Sequence, residues 1–132
     1  MQEESSVDWY ETINITQHDS VEIIGEDREQ FNNAFESLTT GQYDSAFKGL
    51  LELSEKGSSI SQYFLGVMYL SGEGVLQDFS QAHKWFNIAS SQGHKIANEH
   101  LKKLTKDMSP ARVVEAQRLA RECVANRYKV AS

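Results

Sequence analysis

The sequence predicts an all-α fold, an α/α solenoid of about three helix pairs set behind an acidic arm that is not part of the repeat. Three observations carry that prediction. Apolar residues recur at helical spacing in six consecutive segments between Phe31 and Cys123. Sliding the chain against itself by 36 residues superposes Ala46 on Ala82, Leu50 on Phe86, Gly57 on Gly93 and Leu65 on Leu101. A period of that length holding two helices implies stacking, because a single helix pair cannot bury its apolar face alone. Finally, the composition breaks near Gly25, which divides the chain into an acidic arm over 1–26 and a repeat domain over 27–132.

The chain has 132 residues with 13 Lys or Arg against 19 Asp or Glu, a formal charge of −6. Residues 1–30 hold nine acids against Arg28 alone, whereas residues 94–132 hold nine bases and four acids. The two ends are electrostatically opposed, which favours contact between them. The acidic balance argues against a nucleic-acid partner, since phosphate binding needs clustered Lys and Arg. No apolar run approaches the ~18 residues of a membrane span, and Glu3 and Glu4 stand where a secretory leader would be basic. A soluble chain without a membrane span or targeting segment is therefore expected. Cys123 is the single cysteine, so no internal disulfide or paired-Cys zinc site is available.

The elements follow in order. In the arm, Trp9, Tyr10, Ile13, Ile15, Val21, Ile23 and Ile24 sit among acids in short alternating stretches, the pattern of an extended or partly disordered segment. Asp27 and Gln30 have the spacing of a capping box, followed by Phe31, Ala34, Phe35 and Leu38 on one helical face. Gly41 stops that helix. Tyr43, Ala46, Phe47, Leu50 and Leu53 trace the second, which ends at Gly57. The third, about 60–71, is apolar on more than one side and must be sandwiched, with Gly66 at its middle marking a close approach. Gly72 and Gly74 make a turn. Asp78 and Gln81 are a second capping pair before Phe79, Ala82, Trp85, Phe86 and Ala89, and Gly93 ends this fourth helix. Ala97, His100, Leu101, Leu104 and Met108 form a fifth. Ser109 and Pro110 open a sixth as N-cap and first helical position, continuing through Val113, Ala116, Ala120 and Cys123.

The run from Ser61 to Asp78, with Leu65-Gly66, Met68-Tyr69 and Gly72-x-Gly74-Val75, followed by Ala82, Trp85-Phe86, Ala89 and Gly93, resembles the Sel1-like repeat, a tetratricopeptide-like family. The flanks are similar to small bacterial members: Gly41-Gln42-Tyr43 with Ala46 to their opening unit, and Met108-Ser109-Pro110 with Glu115-Ala116-Gln117 to their closing helix. The resemblance covers about 31–128. It departs at Ser61, where the repeat usually has Ala, and at Lys102 and Thr105, where it would show Gly and Tyr. Those departures suit a capping unit with a polar outer face.

Chemically suggestive residues have plainer readings. His83 lies on the fourth helix, and His94 and His100, six residues apart, are expected on different faces, so no metal site is expected. Gly72-x-Gly74 lacks the third glycine, the preceding strand and the following Lys-Ser/Thr of a phosphate loop. Cys123 falls on an apolar stripe as a small core residue, and Glu52 with Glu55 are helical neighbours on a solvated face. Some disulfide-rich members of the resembled family are associated with β-lactams, but that version depends on Cys pairs this chain lacks, and no Ser-x-x-Lys motif is present. Neither a cofactor nor enzymatic activity is expected.

The resemblance implies a protein–protein interaction module that holds a partner segment on the concave face of a short solenoid. The alternative is a structural envelope component that assembles with other subunits; oligomeric state is open. By the family's geometry the partner-binding residues are Phe31, Phe35, Tyr63, Val67, Leu70, Glu99, Lys103 and Lys106, with Phe31 and Phe35 as core residues the competing reading. The acidic arm is expected to fold back toward Lys103 and Lys106 and tune access. The resemblance also implies export, with periplasm ahead of cytoplasm.

Overall fold

A computed structural model describes residues 25–130. Among the described residues there are six helices and no strand: α1 (Gly25–Thr39), α2 (Tyr43–Glu55), α3 (Ser59–Ser71), α4 (Phe79–Ser91), α5 (Lys95–Asp107) and α6 (Pro110–Ala125). Over the described residues the architecture is an all-α solenoid of stacked helices. The acidic arm lies outside the described residues except for Gly25 and Glu26, which already belong to α1.

The helices stand in two layers. Phe31 and Phe35 of α1 place their rings 5.9 and 5.6 Å from Phe64 of α3, and Tyr63 of α3 lies 5.2 Å from His100 of α5. That makes α1, α3 and α5 neighbours in one layer. Helices α2 and α4 pack behind them, and α6 lies along α4. Beyond α6 the chain returns to the end of α2, where the Val130 N–H donates to the Glu55 carboxylate at 3.1 Å.

The 36-residue period is present in the backbone itself. At the end of α2, Gly57 has φ +98° and its N–H donates to the Ser54 carbonyl, while the Ser58 N–H donates to Leu53. At the end of α4, Gly93 has φ +95° with the matching bonds from Gly93 to Ser90 and from His94 to Ala89. Only glycine takes that left-handed corner without penalty, and it satisfies carbonyls the helix leaves open. The next residue in each case caps the following helix: Ser58 Oγ accepts the Ser61 N–H, and His94 Nδ1 accepts the Ala97 N–H.

Helix α3 is the sandwiched element. Every residue over 59–68 is buried. Gly66 sits beneath the Phe86 ring of α4, and a Cβ there would stand 2.6 Å from it, so the glycine is what lets the two helices approach. Ser61 is also buried, and its hydroxyl accepts a 2.9 Å bond from the Ser58 hydroxyl, which is how a polar residue is accommodated where the repeat usually has Ala.

Three sequence expectations need correction. Asp27 does not cap α1, which begins at Gly25; Asp27 pairs instead with Lys56 of α2 at 3.1 Å, and Gln30 donates to Glu52 at 2.7 Å. The box at Asp78 is half made: its carboxylate accepts the Gln81 N–H, but its own N–H donates to the Tyr69 carbonyl. The third pair is splayed, because α6 diverges from α5 at the Met108–Ser109 corner and packs on α4. The exposed lysines of α5 give it no apolar outer face for α6 to cover.

Candidate partner-binding face

The eight residues expected to bind a partner divide by depth. Phe31, Tyr63 and Val67 are buried, at 4%, 0% and 0% exposure, and are core. Phe35 and Leu70 are half-buried, and Glu99, Lys103 and Lys106 are exposed on α5. For Phe31 the competing core reading holds; Tyr63 and Val67 are core because α3 is enclosed by its neighbours, which helical periodicity within α3 does not reveal.

What the structure brings together is a continuous run of rings across the first layer. Phe35 stacks on Phe31 at 6.1 Å, both meet Phe64, and Phe64 meets Tyr63 at 5.1 Å. Tyr63 then stacks on His94 at 5.0 Å and meets His100 edge-on at 5.2 Å. Offset and edge-on ring pairs of this kind are worth ~0.5–1.5 kcal/mol each beyond burial. Phe64, His94 and His100 are members that the sequence reading left out. His94 and His100 were expected on different faces, but the ring of His94 lies at the helix N-cap, outside helical phase, so both reach Tyr63.

Polar contacts fix the histidines. The His100 Nδ1 lies 3.1 Å from the Ile96 carbonyl, which can only accept, so Nδ1 carries the hydrogen; Nε2 then accepts from the Tyr63 hydroxyl at 3.4 Å. Burial lowers the His100 pKa, and Lys103 adds to the depression against the opposing effects of the Ile96 bond and Glu99. His83 faces α5 from α4, its Nε2 2.9 Å from Thr105 Oγ1. Thr105 is one of the residues that depart from the repeat pattern, and its hydroxyl is what His83 binds. Lys103 and Lys106 form no ion pair among the described residues, where such pairs join Asp27 to Lys56 and Arg118 to Glu115 and Glu122.

On the opposite layer, α4 and α6 enclose a cleft of about 700 Å³ with Ile88, Ala120 and Val124 on its apolar side and Asn87, Gln117 and Arg121 among its polar lining. Cys123 is buried beside it in α6, and burial raises its thiol pKa, which disfavours the reactive thiolate. Among the described residues no three His, Cys, Asp or Glu side chains are grouped to hold a metal ion, and no helix is long and apolar enough to cross a membrane.

Comparison with known proteins agrees with the helical-repeat architecture. The Sel1 repeat family model matches residues 59–94, which run from the start of α3 to the N-cap of α5. The chain is also 32% identical over 69 residues to an exopolysaccharide production negative regulator of Rhizobium leguminosarum bv. viciae. That match covers 52% of this chain and 26% of the relative, so the chain spans about a quarter of the length of the curated protein it matches. Sel1 repeats generally mediate protein–protein interaction. With the enclosed α3, the Gly66–Phe86 contact and the Gly93 corner all falling inside the matched segment, residues 59–94 are a Sel1 repeat.

Proposed function

We propose that the protein is a non-enzymatic interaction module whose first-layer face holds a partner segment bearing both aromatic and acidic residues. The observation that carries this reading is the ring run across α1, α3 and α5, bordered by half-buried Phe35 and Leu70 and by the exposed cations Lys103 and Lys106. A partner's apolar side chain packs at Phe35 and Leu70, and its carboxylates meet the lysines; Glu99 sets the register by repelling acids placed one turn away. Phe31, Tyr63 and Val67 support this face from beneath without touching the partner. The similarity to a negative regulator favours a regulatory protein as the partner. The family resemblance further favours an exported protein acting in the periplasm, which a periplasm-dependent reporter fusion to the native gene tests.

Selection from a random peptide display library against the full chain tests the face. Enriched peptides are expected to combine an aromatic with acids and to lose binding about tenfold or more on Lys103→Glu/Lys106→Glu, and comparably on Phe35→Ala. Peptides that bind all these variants as tightly as the original protein would place the interaction elsewhere.

A further inference from the structure

We propose that His83 and His100 form an acid-sensitive latch that holds α5, and with it the basic edge of the partner face, against the rest of the solenoid. The partner face is the reading proposed above; the latch itself stands on the packing of α5 and is tested without a partner.

Helix α5 is thinly anchored. Of its residues only Ala97 and Leu104 are fully buried, and it packs on α4 while α6 turns away from it. Two imidazoles supply polar ties in place of a wide apolar footing. The Thr105 hydroxyl donates its hydrogen to the Leu101 carbonyl at 2.7 Å, so toward His83 Nε2 its oxygen can only accept. His83 therefore carries a hydrogen on Nε2. Its Nδ1 is buried with no hydrogen-bond partner. A second proton would create an N–H there facing no acceptor, together with a charge in an apolar setting, and both are costly. At His100 the hydrogen is on Nδ1, bound to Ile96, and Nε2 accepts from Tyr63. Protonation would reverse the Tyr63 bond and place a charge between the rings of Tyr63 and Phe86.

The surrounding charges do not rescue either proton. Burial alone lowers the His83 pKa; the neighbouring Lys84 extends its ammonium over the Trp85 ring, 4.4 Å from the centroid. Around His100, α5 itself presents Glu99 and Lys103, α3 presents Tyr63, and α4 presents the uncharged Phe86. Both groups have folded pKa values below the ordinary histidine value of about 6.5, so an α5 that has swung open binds more protons than a docked one. The docking free energy they contribute is complete above that pH and falls away as pH drops through it toward the depressed values.

Hydrogen exchange of the full chain, corrected for the intrinsic pH dependence of exchange, tests the latch between about pH 7.5 and about pH 5. The α5 amides should open roughly tenfold more often at the acid end, the equivalent of one lost buried hydrogen bond, while α2 and α3 change less. The double variant His83→Gln/His100→Asn keeps the neutral donors without titrating and leaves His94 at the α5 N-cap untouched; it should lose at least half of that acid response. Wild-type α5 protection that does not fall relative to α2 and α3, or a double variant that keeps the whole response, overturns the proposal. Should the variant fail to fold, proton NMR titration of the wild-type imidazoles decides: both His83 and His100 must titrate below the ordinary histidine range, and either one titrating within or above it overturns the latch.

Discussion

At Gly66 the backbone of α3 and the ring of Phe86 share a space with no room for a methyl group, since a Cβ would sit 2.6 Å from the ring. Phe86 is wholly buried and cannot swing aside cheaply. Gly66→Ala gains about 1 kcal/mol in helix propensity, but overpacking costs ~1–3 kcal/mol, so a net loss is expected. Gly66→Leu should cost several kcal/mol and lower the thermal midpoint by about 4–8 °C for each. Adding Phe86→Leu to Gly66→Ala should return part of that loss; a strictly additive pair would show that the ring is not the obstacle. This contact was legible in the sequence as a glycine inside a helix apolar on two sides. Which of the eight face residues would be buried was not, because Tyr63 and Val67 are enclosed by neighbouring helices that contribute no signal to the pattern of α3.

At the scale of elements, the two corners that repeat after 36 residues cap the helices that follow them. Ser58 and His94 occupy the same place in each, one an ordinary cap and the other an imidazole doing the same task. Ser58→Ala and His94→Ala should each destabilise by about 1 kcal/mol, and Gly93→Ala by a similar amount through its left-handed φ. Circular dichroism melts check all three, with His94→Asp, a stronger cap, as a control that should retain the cap bond to Ala97. Equal stability of His94→Ala and the parent would mean that the imidazole contributes nothing as a cap. The glycines at these corners announce the helix ends in the sequence. The histidine cap does not, because His is not among the residues favoured there, and it is found only by carrying Ser58 forward by the repeat length. The start of α1 was misplaced for the opposite reason: Asp27 and Gln30 have capping spacing, but their side chains are drawn to Lys56 and Glu52 of α2.

Across the whole molecule, the departure from a simple stack is the placement of α6. Its apolar stripe, Ala116, Ala120 and Cys123, is legible in the sequence, but a stripe does not say which helix covers it, and α4 does so rather than α5. In a solenoid whose units feel only their neighbours, the last helix would be free to fray on its own. Here the tail returns to the first corner. Arg127 and Tyr128 both have positive φ, 57° and 69°, a conformation that costs non-glycine residues about 1–2 kcal/mol each. In exchange the Tyr128 ring lies over Gly57, close enough that a Cβ there would be 3.4 Å from it, and the Val130 N–H reaches Glu55. Cys123, the single thiol, is buried on the same helix and therefore reports its undocking. Tyr128→Ala should raise the rate of Cys123 alkylation under native conditions roughly tenfold, the counterpart of about 1.4 kcal/mol, while global stability in urea falls by less. A rate that rises only in step with global unfolding would mean that α6 opens with the rest of the solenoid and that the Tyr128 clasp has no separate part in holding it.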